Sequence, residues 1–173
     1  AQPAPMLAAR AWVLVDATSG ARLASFEPLA RLEPASLTKL MTAYVVFTAL
    51  NENRIALTDA VTVSPAAFAT PGKLGARMYL EPGRAVTVDQ LLRGMLTASA
   101  SDAAVALAEH SAGSVDAFVA RMNAEVRRLG MANTHFANAT GQSDAQNYSS
   151  AEDMAILARR LLTDFQQHAP LFV

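Results

Sequence analysis

Two short apolar runs, "AWVLV" and "ARLASFE", flank the segment Asp16-Ala17-Thr18-Ser19-Gly20, and the strongly periodic segments after them are helical. Apolar runs on either side of a cluster of turn residues predict a β-hairpin. Beyond Pro34, the residues Leu37, Leu40, Met41, Tyr44 and Val45 recur at three-four spacing, the signature of a helix with an apolar face. "VTVS" and "AVTV" read as short strands separated by the turn "LEPG". Asp89 is placed to cap "QLLRGMLTAS", and a further helix runs through "DAAVALAEHSA". Ser114 caps "VDAFVARMNAEVRRLG", which Gly130 closes. "THFANATGQSDAQNY" is a polar loop, and Ser149 with Glu152 forms a capping box opening "AEDMAILARRLL". A hairpin followed by a long helical middle predicts an α+β domain, a helical cluster packed on an antiparallel sheet. The apolar helices "LTKLMTAYVVFTAL" and "DMAILARRLL" need such a sheet to cover, and the hairpin supplies two strands of it. The sheet is therefore expected to be incomplete at residue 173.

Composition narrows the function classes. With 52% hydrophobic and 17% charged residues over 173 positions, the chain is a packed globular one. A net charge of -1 argues against nucleic-acid binding, which requires a strongly basic face. No apolar run reaches the roughly eighteen residues of a membrane span. The absence of cysteine leaves the redox compartment open. The start "AQPAPMLAAR" lacks the charged and apolar regions of a signal peptide, as a mature N-terminus left after cleavage would, and as an engineered start would too.

Of fourteen basic residues only Lys39 and Lys73 are lysines. Lys39 follows Ser36 by three positions in "PASLTKLMTAY", so the two side chains share one helical face. A serine hydroxyl is a weak nucleophile and needs a base beside it. A lysine amine stripped of water has a lowered pKa and can be that base near neutral pH. Ser36 is also expected in the first helical turn, where backbone N–H groups and the helix dipole favour developing negative charge. The competing reading, a Ser36 that merely caps a helix and a solvated Lys39, is decided by the surrounding residues, because Ser-x-x-Lys alone arises often by chance.

"PASLTKLMTAY" resembles the nucleophile motif of the penicillin-binding serine peptidases, the superfamily that includes the class A β-lactamases. "GARMYLEPGRAVTVDQLLRGMLTASASDAAVALAEH", "GSVDAFVARMNAEVRRLGMANTHFANATG" and "YSSAEDMAILARRLL" resemble, in order, the low-molecular-weight D-alanyl-D-alanine carboxypeptidases. The resemblance implies a β-lactamase/transpeptidase-like fold. It also implies a periplasmic enzyme that removes the terminal D-alanine of peptidoglycan stem peptides through an acyl-serine, and that β-lactams acylate. No cofactor or metal is implied, and any membrane tether is expected outside these residues. Ser36 matches the family nucleophile and Lys39 its general base. In "SASDA", Ser99 matches the serine of the second motif, a proton relay to the leaving amine. Ser101 stands where the family has asparagine; its single hydroxyl donor makes a weaker or water-mediated contact to the substrate amide. A second register, with Ser101 opening a lactamase-type "SDA", stays open, as does a reading of both serines as ordinary helix-start residues.

The family's third motif, Lys-Thr-Gly, does not occur. Residues 1–173 are therefore expected to be the N-terminal part of the penicillin-binding domain, with the Lys-Thr-Gly strand beyond residue 173. Two other functions compete. A β-lactamase needs a deacylating glutamate, and the candidates Glu109, Glu125 and Glu152 fall in helices or a cap. A non-catalytic muropeptide- or penicillin-binding domain would be consistent with Ser101 and the missing motif. Three further readings are plainly structural. His110, His135 and His168 lack the spacing of a metal motif. Met41, Met78, Met95 and Met122 read as core, as does Trp12 in its strand. Arg127 and Arg128 read as a solvated helix face. Thr140 replaces the histidine of the family's site-bordering loop and is assigned no catalytic role. "NAT" at 138–140 fits a glycosylation acceptor only by chance.

Overall fold

Strands β1 (Trp12–Val15) and β2 (Arg22–Phe26) pair antiparallel, with Trp12 opposite Phe26 and Leu14 opposite Ala24. The computed structural model describes residues 7–70 and 76–172; Lys73 and the first six residues lie outside the described ones. The hairpin turn is built as its residues suggest. The Asp16 carboxylate accepts from the Ser19 amide and hydroxyl at 2.6 and 2.7 Å, which lowers its pKa, and Gly20 takes a left-handed conformation at φ +77. The register shifts between Leu14 and Val15 before the chain turns.

A 3-10 turn (Ala35–Leu37) leads into helix α1 (Thr38–Asn51). Strand β3 (Ala60–Thr62) follows, then the short helix α2 (Pro65–Ala69) and strand β4 (Ala85–Thr87), which pairs antiparallel with β3. Helices α3 (Val88–Ala98), α4 (Ser101–Ala112), α5 (Val115–Leu129) and α6 (Ala151–Asp164) complete the cluster, and a second 3-10 segment covers Gln166–Phe172. The two strand pairs predicted from sequence are both present, each as a separate two-stranded sheet.

Helix α1 departs from the expected one-faced pattern. Met41, Ala43, Tyr44, Val45, Val46, Phe47 and Ala49 are all buried, so it is sunk on nearly every side. It packs against α3, α4, α5 and α6, and helices rather than a sheet cover it. The hairpin lies on α6 instead. Arg159 of α6 donates to the Ala17 and Thr18 carbonyls in the turn, and Arg22 of β2 pairs with Glu152 at 2.8 Å.

Several ends sit one or two residues from where the sequence places them. Thr87, not Asp89, caps α3: its hydroxyl accepts from the Gln90 amide while the Gln90 carboxamide accepts from the Thr87 amide. Asp89 falls in the first turn and pairs with Arg93. Ser150, not Ser149, caps α6, accepting from the Asp153 amide. Ser149 is committed elsewhere, its backbone bridging Leu32 and its hydroxyl sharing a bond with Thr134. Arg128 is not simply solvated, since it donates to the Tyr44 hydroxyl at 2.7 Å and pairs with Glu125. Ser114 and Gly130 bound α5 as expected.

The 3-10 segment is held to α1 through Phe47, whose ring stacks on His168 at 4.7 Å and meets Phe172 edge-on at 6.0 Å. Phe47→Ala should lower unfolding free energy by about 3–5 kcal/mol in urea titrations, because it opens a cavity between α1 and this segment.

Candidate active site

The chain approaches α1 through a strained step. Ala35 holds φ at +47, an uncommon conformation for a residue with a Cβ. The 3-10 turn that follows presents Ser36 to solvent, while Lys39, one turn later, is only 4% exposed. The Lys39 amine lies 3.4 Å from Ser36 Oγ and donates to the Thr140 carbonyl oxygen at 2.7 Å. Burial lowers its pKa below the ordinary lysine value. An accessible hydroxyl thus sits beside a desolvated amine, the pairing nucleophilic catalysis requires.

The Thr140 carbonyl belongs to a loop riveted to α1. Thr42 donates to the Ala139 carbonyl at 2.7 Å, and Asn147, which accepts from the Ala137 amide, reaches Thr38 at 3.4 Å. Gly141 completes the contact at φ +83, where a Cβ would stand 1.8 Å from the Ala35 carbonyl oxygen. Only glycine fits between this loop and the backbone before Ser36.

Ser99 and Ser101 come from the corner between α3 and α4. Ser99 closes α3 in a left-handed conformation, φ +57, and Ser101 is the first residue of α4. The corner is fixed from below by Asp102. Its buried carboxylate accepts from the Met78 and Leu80 amides, while the Ser101 amide donates to the Ala76 carbonyl. Among the described residues neither serine side chain bonds to Lys39 or Ser36. The Thr140 carbonyl is the second partner of the amine. That partner was missed because a backbone oxygen leaves no side-chain motif; the signal available was Asn-x-Thr-Gly, an Asx-turn pattern ending in glycine.

The three histidines are dispersed. His110 faces Asp59, His135 faces the Gln146 carbonyl, and His168 stacks on Phe47. Among the described residues no cluster of three metal-ligating side chains occurs.

Over residues 1–170 the sequence matches the family profile described as D-alanyl-D-alanine carboxypeptidase. The chain belongs to that family. D-alanyl-D-alanine carboxypeptidase DacC of Escherichia coli is 44% identical over 164 residues, covering 93% of this chain and 41% of the relative. DacA of Haemophilus influenzae is 40% identical over 168 residues, covering 97% and 43%. The chain therefore spans about two-fifths of the length of these curated relatives. The fold is similar to the crystal structure of penicillin binding protein 5 from Haemophilus influenzae, with a TM-score of 0.95 at 40% identity over 99% of this chain and 50% of that one. It is also similar to carboxypeptidase DacD from Francisella tularensis, with a TM-score of 0.94 at 36% identity over 99% and 41%. The transpeptidase-like fold expected from sequence is the one these family structures share.

Gly141→Ala should destabilise the folded protein by at least about 2 kcal/mol in thermal or urea unfolding, since it combines a left-handed β-carbon with a backbone clash. Gly83→Ala, at a similarly positive φ of +77 but in open space, is the control and should lose only the conformational part.

Proposed function

We propose that these residues carry the nucleophile wall of a serine-type D-Ala-D-Ala carboxypeptidase, and that β-lactams acylate it. The observation that carries the proposal is the exposed Ser36 hydroxyl beside the buried, pKa-lowered Lys39 amine; membership of the carboxypeptidase family supplies the substrate class. Ser36 Oγ attacks the carbonyl between the two D-alanines and its proton passes to Lys39. As the tetrahedral adduct collapses, the C–N bond breaks, and the departing D-alanine amine takes a proton delivered through Ser99. Water then attacks the acyl-serine and returns the hydroxyl. A β-lactam amide opens on the same oxygen.

Ser101, first in α4, is the proposed contact to the substrate amide in place of the family asparagine. The substrate is the stem peptide of peptidoglycan, so the site of action is the periplasmic face of the cell. Among the described residues no helix is long and apolar enough to cross a membrane. We infer too that residues 1–173 are the N-terminal part of a larger penicillin-binding domain. The relatives are more than twice as long, and the outer hairpin face presents Leu14, Leu23 and Phe26, each about half exposed or more.

The β-lactamase reading loses support because its candidate glutamates are engaged elsewhere. Glu109 accepts from Ser64, Glu125 pairs with Arg128, and Glu152 pairs with Arg22. Turnover of a D-Ala-D-Ala peptide distinguishes the carboxypeptidase from a non-catalytic binding domain.

Intact-mass analysis of the full-length protein with benzylpenicillin should show one covalent adduct. Ser36→Ala should abolish it while changing stability by less than about 1 kcal/mol; an adduct persisting on that variant would remove Ser36 from the assignment. Lys39→Arg keeps the charge but cannot accept a proton, so acylation should slow by at least about a hundredfold. The parent's acylation rate should rise with pH and level off below the ordinary lysine value, because burial lowers the pKa of Lys39.

A further inference from the structure

The Lys39 amine is oriented by a carbonyl, and that carbonyl is oriented by something in turn. Its peptide group runs from Thr140 to Gly141. Because a trans peptide is planar, its N–H and C=O point in opposite directions. The Gly141 N–H donates to Asn138 Oδ1 at 2.7 Å, while the Thr140 C=O accepts from Lys39 at 2.7 Å. The preceding peptide repeats the arrangement: the Thr140 N–H donates to the same Asn138 oxygen at 3.1 Å, while the Ala139 C=O accepts from Thr42 at 2.7 Å. One carboxamide oxygen therefore anchors two successive peptide planes from behind, and both carbonyls face α1. The Thr140 hydroxyl adds a third donor to that oxygen at 3.1 Å, and Asn138 Nδ2 returns a bond to the Gln142 carbonyl at 3.0 Å. Three donors on one side and an acceptor on the other fix which end of the carboxamide is oxygen.

We propose that Asn138 is a positioning residue for the Lys39 amine, acting through the two peptide planes it locks. This rests on the proposed role of Lys39 as the base. Without the carboxamide oxygen the Thr140–Gly141 plane loses its rear anchor and can rotate. Its carbonyl then leaves the amine, which has no other hydrogen-bond partner among the described residues than Ser36. Lys39 would drift from a geometry in which about 1 Å of misplacement costs up to a hundredfold in rate. Asn138 acts across the turn: its side chain bonds to residues 140–142 and, among the described residues, to neither Lys39 nor Ser36.

The role is separable from general loop stability by the conservative variant. Asn138→Asp keeps an acceptor oxygen for all three donors, but it sets its second oxygen against the Gln142 carbonyl and adds a negative charge that favours protonated Lys39; Asn138→Ala loses all four bonds. In the full-length protein, benzylpenicillin acylation is resolved into a non-covalent dissociation constant and an acylation rate constant, alongside thermal melts and crystal structures of each variant. Asn138→Ala should lower the rate constant by about ten- to a hundredfold with the dissociation constant nearly unchanged, and its crystals should lack the 2.7 Å bond between Lys39 and Thr140. Asn138→Asp should keep that bond, and its acylation rate should come within about threefold of the parent's once the pH is high enough to deprotonate Lys39 in both. An alanine variant that keeps the bond and the parental rate overturns the proposal, and so does an aspartate variant that stays as slow as alanine at every pH. A parent protein that forms no adduct on Ser36 overturns the proposed function instead, and the crystal structures still decide whether Asn138 holds the carbonyl.

Discussion

A lysine amine withdrawn from water must find an oxygen to donate to, and the acceptor chosen decides whether it stays protonated. Lys39 is buried because α1 is buried, and α1 is buried because helices surround it on nearly every side. A carboxylate partner would have held the proton on by direct charge attraction. Lys39 instead donates to a neutral carbonyl, and among the described residues no acidic side chain bonds to it. Burial then acts unopposed and lowers the pKa. The chemistry of the site begins with the choice of a dipole over a charge.

That choice requires the loop at 138–142 to lie close against the start of α1, and the approach is visible as strain. Ala35 sits in the left-handed region immediately before Ser36, and Gly141 packs on its carbonyl. Ser99 is held left-handed at the corner between α3 and α4, next to the Asp102 carboxylate that holds the Met78 and Leu80 amides. Such conformations cost on the order of 1–3 kcal/mol each and persist only where packing over-determines them. Here the packing comes from buried α1 on one side and from the first turn of α4 on the other. Of the left-handed residues that carry a β-carbon, Ala35 immediately precedes Ser36 and Ser99 belongs to the second motif, while Glu27, Asn53 and Tyr79 lie outside both.

Much of this was legible in the sequence, and the part that was not has a consistent cause. Helical periodicity, the two hairpin-like pairs and the Ser36–Lys39 spacing are side-chain patterns, and each appears where the residues place it. The errors fall where backbone conformation decides. Asp89 and Ser149 are good capping residue types, but Thr87 and Ser150 hold the extended conformation a cap requires, so they do the capping. Arg128 reads as surface until the Tyr44 hydroxyl is found one helix away. Thr140 reads as a lost histidine, yet its contribution is a carbonyl oxygen that any residue at that position supplies. Its hydroxyl reinforces the Asn138 oxygen behind that carbonyl.

Helix α1 can be seen as the ruler that brings these backbone groups into register. Lys39 and Thr42 of α1 are spaced by three, and Ser36 stands three residues before Lys39 in the 3-10 turn that leads into the helix, so successive side chains are neighbours. Lys39 and Thr42 grip consecutive carbonyls of one loop at the same 2.7 Å distance. Adjacent carbonyls of an extended chain point to opposite sides, whereas these two face the same helix, so the loop must be turned sharply at 139–141. The left-handed Gly141 and the Asn138 carboxamide supply that turn. A rigid helix sets the spacing of donors and a side-chain-braced turn sets the direction of acceptors. Ser36, at the end of the same row, can then remain open to solvent while the group beside it stays dry.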